Sequence, residues 1–579
     1  MLLERLSEYA DQIQMPPPMY QSRAVRYLIR LDESGHPRDD KPLDLATPKA
    51  KNGPDWLIPD RKRTVAILPK LLADTAGYVF GIAREGADPE RAMLTRAAFL
   101  ELAQRCAHVT GESAVQAVVA YLEGLGDGVP SLPDNFDPGA TISFEVGSER
   151  PTNLRSVQKF WAQEAAAASD DDEAQVMQCL VCGQTRPCVE RLAISIKGIP
   201  GSTMGMALIS ANADAFLSYG LKASLIAPTC EECGLRFGYA LNALLEDDRT
   251  HVGEGDNRYI FWAREPAPFS VATLLSQADE MEVREFLTAA WRSKPAAAAL
   301  DVAPFYAAAL SGANARVIVR DWLETTLGEA QRHLQRYFAW QRLRDTNGQW
   351  RWFSLYALTR ATVNSKSTRE KPTPQIGRAL LRLALHGDPL PDWLLYQAVR
   401  RARAEQRVTA THAALIKMVL LSQAGVDSSA GGMDGHDMAE LDTTNRDAAY
   451  LCGRLLAELE ATQRAALGDV GSSVVDRYFG TASSAPASVF GRLLRGAQPH
   501  LMKLRKEKPG AYYRIDGRLQ DIMRDMAGFP ATLTLKDQGL FALGYYHQKA
   551  ADLQAARERT LAKGQPVSAV NPDNPEGNE

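Results

Sequence analysis

No apolar run in the 579 residues approaches the roughly 20 needed to cross a bilayer as a helix. Positive charge is not in excess either: 66 Lys and Arg stand against 70 Asp and Glu, a net charge of −4. A chain of this balance is not a basic nucleic-acid binder throughout, so any DNA or RNA surface must be a local patch. Catalytic signatures are missing too. There is no Gly-x-Ser-x-Gly, no His-Glu-x-x-His, and no nuclease-like group of acids with a Lys that stands out, and the nine histidines are scattered. These absences lean toward a protein that binds rather than an enzyme. Cysteine is scarce, seven in all. The opening MLLERLSEYADQI reads as an amphipathic helix and not a signal peptide, because acidic residues interrupt any apolar core. That points to the cytoplasm, where thiols stay reduced and paired cysteines favour metal over disulfide.

Four of the seven cysteines fall into two Cys-x-x-Cys pairs, Cys179-Leu-Val-Cys182 and Cys230-Glu-Glu-Cys233. Four thiolates at this spacing close a tetrahedral zinc shell, and the 47 residues between the pairs bring the chain back to the same point. Gly183 and Gly234 follow the pairs and suit a turn in which backbone amides approach sulfur. A closed four-sulfur shell leaves no open position for water, so the expected zinc is structural. Cys188, Cys106 and Cys452 read as buried small apolar residues.

Composition is ordinary for a globular protein, 45% hydrophobic and 23% charged, and the length suits about three to four domains. The fold class expected is α+β: a mixed N-terminal region with a zinc-ribbon-like insertion, then an all-α bundle. The divisions are 1–175 (α/β), 176–250 (zinc-ribbon-like with a Gly-rich loop), 251–425 (mixed, then helical), 443–565 (helical bundle) and a disordered, Pro-rich tail, 566–579. Alternation predicts strands at 24–31, 64–68, 78–82, 193–198, 207–210, 258–262 and 316–322. Helices are predicted at 92–105, 112–124 and 237–245, and almost throughout from 323, where apolar residues recur at three and four.

Between the cysteine pairs lies Lys197-Gly-Ile-Pro-Gly-Ser-Thr-Met-Gly205. Three glycines around Ser and Thr permit close backbone approach to a phosphate or a base edge, although the loop matches neither a P-loop nor a Rossmann fingerprint. A plain hairpin tip is the competing interpretation. Lys197, Asn212, Ser218, Tyr219 and Lys222 share the segment and suit contacts to phosphates and bases. Two basic stretches come later. One holds Arg400, Arg401, Arg403 and Arg407. The other, 490–524, holds nine Lys and Arg (Arg492, Arg495, Lys503, Arg505, Lys506, Lys508, Arg514, Arg518, Arg524) against Glu507, Asp516 and Asp521. That excess fits a path for a polyanion, with Tyr512 and Tyr513 placed to stack bases or to fill the core.

Three stretches together resemble the large subunit of the type I-C CRISPR surveillance complex, Cascade. They are Pro17-Pro-Met-Tyr20 with Leu71-Leu-Ala-Asp-Thr-Ala-Gly-Tyr-Val-Phe-Gly81; Lys197 through Gly205 with Leu208-Ile-Ser-Ala-Asn212, Ala215-Phe-Leu-Ser-Tyr-Gly220 and Tyr239-Ala-Leu-Asn-Ala-Leu-Leu245; and Ala449-Tyr-Leu-Cys-Gly-Arg-Leu455, Asp476-Arg-Tyr-Phe479 and Phe541-Ala-Leu-Gly-Tyr-Tyr-His-Gln548. The chain departs from the family at Ile226, before Ala227-Pro228, where relatives carry Asn, and at Ala211, where they carry Phe. The resemblance implies RNA-guided DNA targeting, in which the guide reads sequence by pairing and the protein reads a short adjacent motif on duplex DNA. Its implied partners are CRISPR RNA, target duplex and displaced strand, the backbone, 5′-end and small subunits, and a separate helicase-nuclease. Lys197, Gly201, Ser202, Thr203 and Asn212 are the expected duplex contacts; Lys503, Arg505, Lys506 and Lys508 are those for the displaced strand. The family also makes its last helices as a separate small subunit, and Met433 and Met438 stand where such a start would fall. The alternatives are a zinc-ribbon enzyme acting on nucleic acid and a scaffold without DNA contact.

Overall fold

The computed structural model describes residues 2–48, 50–61, 67–82, 88–126, 128–167, 175–211, 213–265, 267, 269–289, 302–367, 369–425, 438–468 and 471–562. Asn212, Met433, the tail and Thr64–Ala66 of a predicted strand lie outside these residues. By contact the chain forms two units, Asp11–Val176 and Met1–Ala10 with Met177–Glu579. The fold is α+β, mixed in its first part and helical toward its C-terminus.

The Asp11–Val176 unit is built on four strands in the order Leu43–Asp44, Tyr27–Leu31, Thr141–Val146, Ala73–Thr75. The central pair is parallel, with Tyr27 opposite Ile142 and Leu31 opposite Val146. Parallel neighbours need a long crossover, and the helices Pro89–Thr110 and Ser113–Gly124 lie within it. Their apolar faces and that of Arg155–Ala167 bury Phe99, Cys106, Val118 and Trp161 against Ile29 and Phe144. The strand predicted over 24–31 is two strands, Tyr20–Ala24 and Tyr27–Leu31, in different sheets. The chain changes sheet at Val25, where Gly53 crosses so closely that a Cβ there would sit 2.0 Å from the Val25 carbonyl oxygen. The stretch predicted as a strand at 78–82 opens inside a helical turn, Ala76–Val79. Alternation over five residues cannot outweigh the local turn that Phe80 closes by donating its amide to Ala76.

The other unit begins with the helix Leu2–Tyr9, whose Ser7 carbonyl accepts from Arg236 at 2.7 Å and whose Arg5 pairs with Glu324. Its main sheet is antiparallel, in the order Arg316–Thr326, Pro304–Ala313, Asn257–Ala263, His251–Glu254. One hydrophobic core runs from Val252 to Ala550, joining this sheet, the middle helices and the last helices. Two of its long helices, Ala448–Leu467 and Leu535–Ala562, meet backbone to backbone. A Cβ on Gly453 would lie 2.0 Å from the Phe541 carbonyl oxygen, and one on Gly544 2.1 Å from that of Tyr450. Gly539 of the same helix packs on Leu395, Ile416 and Leu420, so a chain started at Met433 or Met438 would uncover that face.

Beside the glycine seam runs a buried polar network. Arg518 donates to both Glu458 oxygens, at 2.5 and 3.1 Å, Gln548 donates to Glu458 at 2.8 Å, and Arg518 also pairs with Asp552. Burial pushes the Glu458 carboxyl up to about 8, with Arg518 holding it back and Asp552 adding to the rise. A carboxyl raised in the folded state contributes stability that is full below its ordinary value and lost as pH rises through the raised one. Glu458→Gln should therefore flatten the fall in urea midpoint between about pH 5 and pH 8; an unchanged slope would remove Glu458 as its source.

Candidate metal centre and nucleic-acid surface

The first cysteine pair sits on a turn. Gly183, with φ +72°, donates its amide to the Cys179 carbonyl at 2.9 Å. The second pair opens a helix instead: Cys230 is the cap of Glu231–Glu246 and Cys233 lies in its first turn. Backbone bonds from Leu180 to Pro228 and from Val189 to Thr229 close the two pairs on each other. All four sulfurs lie within 4.8 Å of one another, and Cys182 and Cys230 are 4.0 Å apart. Tetrahedral zinc at about 2.3 Å from each sulfur needs sulfurs roughly 3.8 Å apart, so the donor set fits the ion.

Burial raises the thiols of Cys233 and Cys230. It opposes ionisation of Cys179 as well, but the amides of Cys182, Cys230 and Val181 overcome it and bring that thiol down to about 6. The Cys230 amide donates to the Cys179 sulfur at 3.4 Å. A bound cation would draw the protons from Cys230 and Cys233. Cys188 is buried outside the cluster, near the carbonyls of Met177 and Arg186. Cys106 and Cys452 are buried in helices.

Gly234 serves another purpose than the turn expected of it. On the helix Glu231–Glu246, Gly234 and Gly238 form a groove that takes the incoming chain: Cβ atoms there would meet Leu192 Cδ2 at 2.9 Å and Ile194 Cβ at 2.7 Å. One turn further, Asn242 donates to Ser195 O at 3.0 Å and accepts from the Lys197 amide at 2.9 Å. Three positions on one helix face thus set where the Gly-rich loop begins.

The stretches predicted as strands at 193–198 and 207–210 contribute only single bridges, Ile196 with Met206 and Ala207 with Arg316. The first closes the loop, with reciprocal 2.8 Å bonds between Ile196 and Met206. Inside it Gly198, Gly201 and Gly205 all have positive φ, which is why no strand continues. Ser202 donates to Gly205 O at 3.0 Å, so its hydroxyl proton is turned into the loop. Lys197, Gly201 and Thr203 are exposed and Met204 is 87% exposed. Gly312 gives the loop its seat: a Cβ there would lie 2.6 Å from Pro200 O.

A second projection follows. Bonds from Ala211 to Ala223 and from Leu221 to Ser218 close a hairpin whose tip is Tyr219-Gly220, both at positive φ. Tyr219 is 99% exposed, and the Arg316 guanidinium lies 4.3 Å over the Phe216 ring.

In the helices, Lys503, Arg505 and Lys506 are exposed at the end of Pro486–Glu507. Arg505 lies over Tyr512, which meets Tyr513 edge to face, and Tyr513 is exposed. Lys508 is partly engaged, because its ammonium donates to Ala465 O at 2.9 Å. Arg518 leaves the basic face for Glu458. The other basic run also divides: Arg401 pairs with Glu405, Arg403 donates to Gln538 and Gly480, and Arg400 lies over Tyr396.

A family model described as CRISPR-associated protein (Cas_Csd1) matches residues 2–552. The chain belongs to that family. It is a large subunit of the type I-C kind, and the match extends across both units. No curated protein matches the chain. Among the described residues no helix is long and apolar enough to cross a membrane.

Within this family member, sequence reasoning missed Asn242, Gly312 and the Arg316–Phe216 pair. Asn242 lay inside a stretch that carried the resemblance, with no local sign of its partner 45 residues away. The Tyr219-Gly220 dipeptide between Ser218 and Leu221 was the readable signal for the hairpin.

Proposed function

We propose that this subunit binds target duplex at the protospacer-adjacent motif through the segment bracketed by the cysteines, and helps to open it. The observation that carries this is the pair of projections on one braced segment: a glycine loop edged by Lys197 and Thr203, and a hairpin ending in a fully exposed Tyr219. The loop brings backbone to a phosphate or base edge, and an exposed aromatic at a rigid tip serves as a wedge between base steps. The cysteine cluster holds one structural zinc that keeps both in place. The basic corner with Lys503, Arg505, Lys506 and Tyr513 then lies along the displaced strand, where aromatics stack and cations follow phosphate.

The subunit acts by binding, with no chemistry of its own, in a cytoplasmic complex of CRISPR RNA, backbone, 5′-end and small subunits. It helps recruit the helicase-nuclease that cuts. A gel shift with guide-loaded complex tests the first part: motif-bearing duplex should shift at lower concentration than the same duplex without the motif. Equal shifts would leave a scaffold. Metal-dependent cleavage by the purified chain would favour the enzyme instead.

Lys506 has no side-chain partner among the described residues. Lys506→Ala should weaken binding to all sequences alike and flatten the plot of log affinity against log salt by about 0.7 for a single-strand contact. An unchanged salt slope would take Lys506 off the strand's path.

A further inference from the structure

A cavity of about 440 Å³ opens beside the Tyr219 hairpin, between residues 208–210 and the turn joining the two longest strands of the sheet. Its size falls within the range of small-molecule sites, roughly 300–1,000 Å³. Leu208, Ile226 and Val317 give it apolar walls, and Ser210, Asn314 and Arg316 give it polar groups. Its position is fixed from several sides. Ala207 exchanges backbone bonds with Ala315 and Val317, at 3.0 Å each. Asn314 and Ala315 hold the turn at positive φ. Arg316, on the rim, is already held over Phe216 of the hairpin.

We infer that this cavity receives one unpaired nucleobase extruded beside the adjacent motif. The inference rests on the DNA-binding role proposed above and assigns that site a second component. Apolar walls replace the stacking that a base loses on leaving the helix, and a few polar groups satisfy its edge. Extrusion is cheapest for a base that is already unpaired, which is the state that a wedge at the hairpin tip would create. The base comes from either the target strand or the displaced strand, and the chemistry of the cavity is the same for both.

The test uses full-length chain in its guide-loaded complex and duplexes mismatched at the two base pairs beside the motif. 2-Aminopurine is placed at those positions in the target strand of one duplex and the displaced strand of another. The expected result is a several-fold rise in emission on binding, in one strand only, which identifies the source. Leu208→Trp, which fills the cavity, should abolish the rise. Ser210→Ala, which leaves the walls intact and is the safer variant for folding, should at least halve it with the affinity for unrelated duplex unchanged. Binding without any rise, or a rise undiminished in both variants, overturns the cavity as a base site. Failure of the unmodified complex to prefer motif-bearing duplex overturns the DNA-binding role itself.

Discussion

Cys233→Ser should strip the zinc from the chain and release the segment between the cysteine pairs. The expected readout is loss of stoichiometric zinc by metal analysis, together with new proteolytic cuts between 183 and 229. Structural zinc sites in small peptides supply about 10–16 kcal/mol of folding free energy. The expected effect here is smaller, because the bonds from Leu180 to Pro228 and Val189 to Thr229 also tie the two pairs together, but Cys233 is buried and its loss opens the shell. If this staple braces both projections as proposed, motif-dependent binding should fall at least tenfold. Cys188→Ser, outside the cluster, should keep the zinc. Full zinc content in Cys233→Ser would show that the four cysteines do not act as one site.

The second large effect concerns stability. Gly544→Ala should destabilise the helical region by about 3 kcal/mol or more, at the upper end of what overpacking costs. The added methyl would stand 2.1 Å from a backbone oxygen of the facing helix, and backbone has no rotamer by which to yield. Gly453→Ala should behave alike, with its methyl 2.0 Å from Phe541 O. Gly496 and Gly517 are the controls. Each lies inside a helix with nothing within 4 Å of the place an added methyl would take, so alanine there should stabilise by roughly 1 kcal/mol through reduced chain entropy. Urea denaturation of the four variants checks the set; a Gly544→Ala midpoint at or above the parent's would contradict the close seam.

What was legible in the sequence was what short spacing determines. The cysteine pairs announced their cluster because each pair spans only four residues, and the helices after 323 announced themselves by apolar period. The strand pairings were less legible. Nothing local in 24–31 marks the change of sheet at Val25, which depends on Gly53 crossing it. The same holds in the site. The glycine loop was readable as a loop, but its anchor on Asn242 and its seat on Gly312 come from distant parts of the chain. Charge counting gave the basic stretch a member that turns inward, Arg518 to Glu458, whereas Lys508 stays exposed while its ammonium donates to Ala465 O. A run of cations in sequence is a surface only after the buried acids have taken their share.

The central claim is that the braced segment reads the adjacent motif. The most direct measurement is the equilibrium affinity of the guide-loaded complex for duplexes with and without that motif, comparing the parent chain with Lys197→Ala/Tyr219→Ala. The variant should lose about thirtyfold or more on motif-bearing duplex, since each of the two lost contacts is worth about 1–3 kcal/mol, and should match the parent on duplex lacking the motif. An equal loss on both duplexes, or no loss on either, would contradict the account.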